Sequence, residues 1–194
     1  MKYYQEITLL PDAEINLYFI WQKTYQQIHL ALVEIQNPQK QVEVGVSFPQ
    51  YDEKTNYLGC KLRLFAKDKT ILNQLNLQKW LHRLNDYTHL TKIRDVPDTV
   101  TEFAQFKRQQ VKSNAKKVRH AKRQAKRDNI EFEQAFNNSD SFEMTQVKTA
   151  FINMQSLESG HKFRLFIQKK TVAKEMDGEF STYGLSQQAT IPWF

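Results

Sequence analysis

Ten lysines and arginines fall within residues 107–127 without one Asp or Glu among them, whereas the rest of the 194-residue chain carries 18 basic and 21 acidic side chains. Such a stretch cannot enter a hydrophobic core, because each cation would need a buried partner that the segment does not supply. The fold must carry it on the surface, and charge this concentrated is a binding surface for a polyanion. Nucleic acid is the first candidate.

The residues between the charges shape the segment. After Ser113 and Asn114, both good helix N-caps, residues 115–127 contain no Gly, no Pro and a single β-branched residue, Val118. A helix over about residues 113–128 is predicted. At 100° per residue Ala115, Val118, Ala121 and Ala125 form a narrow stripe of small side chains, and Lys116, Arg119, Arg123, Lys126 and Arg127 gather opposite them. One face docks on protein and the other projects charge. Like charges one turn apart cost an isolated helix stability, a cost that bound phosphates relieve.

With 40% hydrophobic and 12% aromatic residues the chain can build a core, as one large domain or two small ones. No apolar run approaches the ~18 residues of a membrane span, and residues 1–10 lack a signal-peptide core, so a cytoplasmic protein with no membrane contact is expected. Cys60 is the only cysteine, which excludes an internal disulfide and a Cys-based zinc site. His29, His82, His89, His120 and His161 lack metal-ligand spacing, and neither a metal nor another cofactor is expected.

The first half alternates in order. Residues 3–10 read as a strand, 15–35 as a helix with Leu17, Trp21, Tyr25, Ile28, Leu32 and Ile35 at helical spacing, and 42–48 as a strand ended by Pro49. Residues 61–66, 68–84 and 88–96 follow as strand, helix and strand. This βαββαβ order predicts an α+β protein with a ferredoxin-like domain over 1–97. Pro97 and Asp98 mark a boundary, beyond which a second α+β domain, 98–194, carries the basic helix, an extended segment at 100–110 and strand-like segments near 147–155, 162–169 and 179–184. No flexible linker separates the halves, so they are expected to pack together. The terminal Pro192, Trp193 and Phe194 are too apolar to dangle in water.

Four local patterns stand out: Gln110-Val-Lys-Ser-Asn114 opening the basic helix, Gly45-Val-Ser-Phe-Pro49 closing a strand, Ser159-Gly-His-Lys-Phe-Arg-Leu-Phe-Ile167 starting one, and Tyr183-Gly-Leu-Ser186 before the terminal Pro-Trp-Phe. Together, in order and at compatible spacing along the whole chain, they resemble the type I-F CRISPR-associated endoribonucleases, which cut precursor CRISPR RNA beside a repeat hairpin. The resemblance implies a ferredoxin-like domain, a second domain bearing an arginine-rich helix, and cleavage without metal. In that chemistry a ribose 2′-hydroxyl attacks the adjacent phosphate and leaves a 5′-hydroxyl and a cyclic phosphate. The protein then has to supply a base, in-line geometry and charge compensation.

Site residues follow from the resemblance position by position. His29 matches the catalytic histidine; by residue type alone a lone helical His is more often a surface or satisfied side chain, although imidazole suits proton removal near neutrality. Ser156, seven residues before Phe163, matches an active-site serine that holds the ribose, with Ser159 as the rival. Tyr183 matches an active-site tyrosine whose hydroxyl contacts the phosphate or whose ring supports the histidine. Phe163 matches the aromatic stacked under the hairpin's terminal base pair, although Phe163, Leu165 and Ile167 also share one strand face and suit a core. Arg108 and Gln110 match readers of base edges near the foot of the stem. Lys112, Ser113, Asn114, Lys116, Arg119, Arg123, Lys126 and Arg127 complete the expected RNA-binding set, with Arg119 the clearest match in the helix. Lysine at several of these positions keeps charge but loses bidentate contacts.

The partners implied are a CRISPR repeat RNA hairpin and other subunits of a type I-F surveillance complex, with a monomer expected when free. Two binding-only alternatives stand beside the enzyme: a hairpin-binding subunit that does not cut, and a DNA-binding regulator.

Overall fold

The computed structural model describes residues 1–110, 114–138 and 149–194. In chain order the elements begin with strand β1 (Tyr3–Leu9), helix α1 (Leu17–Glu34), strands β2 (Gln41–Val42), β3 (Gly45–Ser47) and β4 (Lys61–Ala66), and helices α2 (Lys69–Leu75) and α3 (Leu77–Leu81). They continue as strands β5 (Thr88–Leu90), β6 (Arg94–Asp95) and β7 (Phe103–Gln109), helices α4 (Asn114–Asp128) and α5 (Phe132–Asn137), and strands β8 (Phe151–Gln155), β9 (Lys162–Val172), β10 (Phe180–Ser181) and β11 (Ile191–Pro192). The protein is α+β. No described helix is long and apolar enough to cross a membrane.

Residues 1–109 and 149–194 form one compact unit and 110–148 a second. In the first unit, one antiparallel sheet has the order β3, β4, β1, β5, with β6 also paired to β1. A second antiparallel sheet runs β11, β7, β9, β8. Helix α1 starts at Asn16, whose side chain accepts a hydrogen bond from the Tyr18 amide, and it buries Trp21, Tyr25, Ile28 and Leu32 along one stripe. One hydrophobic core joins both sheets: Phe48 lies 5.5 Å from Trp21, 6.0 Å from Tyr25 and 5.4 Å from Phe106, ring centre to ring centre. The Gly45 to Pro49 motif owes its character to this junction. A Cβ on Gly45 would fall 2.5 Å from Ile191 and 2.7 Å from Phe180, so no larger residue fits between them.

Several elements are shorter than their hydrophobic patterns. The helix expected over 68–84 breaks at Asn76, which adopts a left-handed conformation (φ 43°), because Leu75 and Leu77 cannot both face the core of one straight helix and both are buried. The strand expected over 42–48 divides into β2, which pairs with β10, and β3, which pairs with β4. The apolar tail is docked: Trp193 donates its amide to the Glu102 carbonyl, and the Phe194 ring meets Tyr4 edge-on at 5.3 Å with the Arg63 guanidinium 4.2 Å above it.

The second unit contains α4 packed on α5. Helix α5 was not anticipated from the sequence pattern. Helix α4 ends at Asn129 (φ 50°), the left-handed position where asparagine replaces glycine, and Ala121 and Ala135 are both fully buried. The flanking segments are tied in the first unit, where the Thr149 hydroxyl donates to the Gln109 side-chain carbonyl at 2.7 Å.

Candidate active site

Three segments far apart in sequence converge at the C-terminal part of α1. After β10 the chain turns tightly, with the Gly184 amide donating to Ser181, and Gly184 accepts from the Val46 amide at 3.0 Å. Gly184 is left-handed (φ 67°), and a Cβ there would sit 2.4 Å from a Val46 methyl. Only glycine suits that combination. Tyr25 of α1 clamps the same turn by donating its hydroxyl to the Tyr183 carbonyl at 2.8 Å.

One helical turn further along α1, the half-buried His29 contacts the turn twice. Its Nδ1 lies 2.8 Å from the Thr182 carbonyl oxygen, and its ring stacks on Tyr183 with centres 4.2 Å apart and planes 8° from parallel. A carbonyl only accepts, so Nδ1 carries the hydrogen and the lone pair resides on Nε2. Burial pushes the His29 pKa below 6.5; the Thr182 carbonyl opposes that shift more weakly. The result is a neutral imidazole at pH 7 with a defined tautomer and a basic Nε2. Burial raises the Tyr183 phenol while Arg108 pulls it down, with burial dominant, so this hydroxyl is protonated at neutral pH.

The contacts continue from Tyr183 toward β7 and β9. Phe163, at the start of β9 and half-buried, meets Tyr183 edge-on at 6.5 Å, and the exposed Arg108 of β7 places its guanidinium carbon 5.4 Å from the Phe163 ring centre and 5.7 Å from that of Tyr183. Leu165 and Ile167, on the same strand face, are fully buried, so the core claims that face except at its first residue. Four residues expected from sequence to share a site, His29, Tyr183, Phe163 and Arg108, therefore form an unbroken series of ring contacts.

Ser156 follows β8 in the turn to β9, where its amide donates to the His161 carbonyl and its Oγ accepts from the Ser159 amide at 3.3 Å. Ser156 is half-buried and Ser159 exposed. The strand before it is tied to α1, since the Gln155 amide donates to the Gln26 side-chain carbonyl at 3.4 Å, one turn before His29. That bond ties the end of β8, next to Ser156, to α1 three residues before His29.

Of the expected RNA-binding residues, Gln110 is exposed, Lys112 and Ser113 lie outside the described residues, and Asn114 and Lys116 occupy the first turn of α4. Arg119, Arg123, Lys126 and Arg127 are exposed. Arg127 donates to the neighbouring Asp128 carboxylate at 2.7 Å, a pairing that an incoming phosphate would have to displace. Sequence reasoning missed three site contributors. Thr182 acts through a backbone carbonyl, which no residue pattern reveals; Tyr25 belongs to the apolar stripe of α1 and reads as core; Gln26 carries no motif.

The sequence profile of a family described as CRISPR-associated protein (Cas_Csy4) matches residues 4–194. Two curated proteins, both named CRISPR-associated endonuclease Cas6/Csy4, are similar over their full length and the full length of this chain: one from Escherichia coli (strain UTI89 / UPEC) at 33% identity over 195 residues, and one from Pseudomonas aeruginosa (strain UCBPP-PA14) at 32% over 197. A solved structure described as an RAMP protein binding different RNA substrates is a distant likeness, with 10% identity and a TM-score of 0.35 over 98% of this chain and 100% of that one.

Proposed function

From the premise that the chain belongs to the Csy4 family of CRISPR-associated proteins, we propose that it is a metal-independent endoribonuclease that cuts precursor CRISPR RNA at the 3′ base of the repeat hairpin. The observation that carries this reading is His29: a neutral imidazole whose Nδ1–H is committed to Thr182, leaving Nε2 as the base. Nε2 removes the proton of a ribose 2′-hydroxyl, O2′ bonds to the adjacent phosphorus, and the bond from phosphorus to O5′ breaks as that oxygen takes up a proton. The products are a 2′,3′-cyclic phosphate and a 5′-hydroxyl.

Ser156 holds the ribose, its partly buried position at the head of the turn suiting it better than the exposed Ser159. Tyr183 fixes the imidazole plane by stacking, since its ring rather than its hydroxyl meets His29. Phe163 stacks under the terminal base pair, Arg108 and Gln110 read base edges beside it, and the cations of the 110–148 unit grip phosphates. A short hairpin makes this practicable, because the major groove of A-form RNA is too deep and narrow for side chains except where it opens at an end.

The strand order β5, β1, β4, β3, with α1 and the α2–α3 pair as crossovers, supports a ferredoxin-like reading of residues 1–97, with 98–194 as the RNA-binding half. After cutting, the protein keeps the hairpin and joins the other subunits of a surveillance complex. Incubating a repeat RNA with the purified protein in EDTA tests the reading: products ending in 2′,3′-cyclic phosphate are expected, whereas cutting only on addition of a divalent cation would contradict it.

A further inference from the structure

A groove of about 460 Å³ adjoins the candidate active site, lined by Gln22 of α1, Asn153 and Met154 of β8, and Lys162, Phe163 and Arg164 of β9. Phe163 belongs to both. Among the described residues β7 pairs with β9 as far as Gln109 opposite Phe166, and the first four residues of β9 pair with β8. The buried Met154 sits opposite Phe163 in register. Lys162 and Arg164 are exposed, and neither is paired with a carboxylate among the described residues. Two residues apart on a strand, they stand about 6.7 Å from each other on one face. Arg164 is steadied by the Phe151 ring, 4.7 Å from its guanidinium carbon.

Two cations spaced along one face of a strand with two side-chain amides beside them, at the margin of the Phe163 ring that the other face presents, supply the polar elements of a single-stranded nucleic-acid channel. We propose that this groove holds the unpaired RNA flanking the foot of the hairpin, with Lys162 and Arg164 on successive phosphates and Gln22 and Asn153 on base or ribose edges. The proposal rests on the reading of the chain as a hairpin-cutting ribonuclease. It separates two kinds of contact: the basic helix holds the stem, and the groove holds the strand that enters or leaves it.

The test uses three RNAs, each with a 2′-deoxy sugar at the nucleotide whose 2′-hydroxyl would attack, so that none is cut: the bare hairpin, and the hairpin with a short 5′ or a short 3′ extension. Binding is titrated at several salt concentrations for the native protein and for Lys162→Ala/Arg164→Ala. For the native protein one extension is expected to tighten binding by about tenfold, and the extended arm that gains identifies the flank. In the double variant that gain disappears, and the salt slope for the extended RNA falls by about 1.4, about 0.7 for each phosphate no longer neutralised, while bare-hairpin affinity stays constant. A gain that survives the substitutions, no gain in the native protein, or an equal weakening for all three RNAs would overturn the groove. Failure of the native protein to bind even the bare hairpin would instead strike at the functional reading, so the two failures are distinct.

Discussion

His29 gains its proposed chemistry from two contacts on opposite sides of the imidazole problem. The Thr182 carbonyl selects the tautomer, and the Tyr183 ring sets the plane. Burial lowers the pKa of His29, so between that lowered value and 6.5 the unfolded chain binds a proton that the folded chain does not. Stability contributed by the neutral form is therefore fully present above 6.5 and declines as pH falls through that window. An NMR titration of the free protein should put the His29 midpoint below 6.5; a midpoint at or above it would remove the desolvated base. The stack makes a second prediction. At about 0.5–1.5 kcal/mol for an aromatic pair, Tyr183→Ala is expected to slow single-turnover cleavage by about two- to tenfold, and Tyr183→Phe by less than about twofold. A drop of about a hundredfold in the Phe variant would assign the hydroxyl a direct part in proton transfer.

Among the elements, the turn between β10 and β11 does more than its length suggests. Gly184 lets it turn in a left-handed conformation against Val46, which brings Thr182 and Tyr183 over α1. Gly184→Ala combines a strained φ with a Cβ driven into a buried strand residue, and should cost at least about 2 kcal/mol, equivalent to a fall in melting temperature of about 4–8 °C for a chain of this size. A melting temperature within about 1 °C of the native protein would show that Val46 gives way freely. Elements of this kind set the limit of what was legible beforehand. Helices α1 and α4 could be read because an apolar or small-residue stripe recurs through each, with the cap residues Ser113 and Asn114 marking the start of the second. The break at Asn76 could not, since it depends on both Leu75 and Leu77 being drawn into the core, and α5 is too short for its period to register. Phe163 was ambiguous for a similar reason: its strand face is core, yet at the start of β9 its ring is only half-buried and meets Tyr183 and Arg108.

At the scale of the molecule, the residues proposed for binding and those proposed for chemistry lie on different stretches of chain. The cations cluster in the 110–148 unit and just before it, whereas His29, Ser156, Tyr183 and Phe163 belong to the other compact unit. The residues of the candidate site were proposed from motif resemblance, but the contacts made to His29 and Tyr183 by a Thr182 carbonyl and a Tyr25 hydroxyl span more than 150 positions and arise only from folding. This separation makes the central claim directly testable. Single-turnover cleavage and hairpin affinity are to be measured together for His29→Ala, with repeat RNA in EDTA. The account predicts cleavage reduced by at least about a hundredfold with affinity within about threefold of the native protein; undiminished cutting would contradict it.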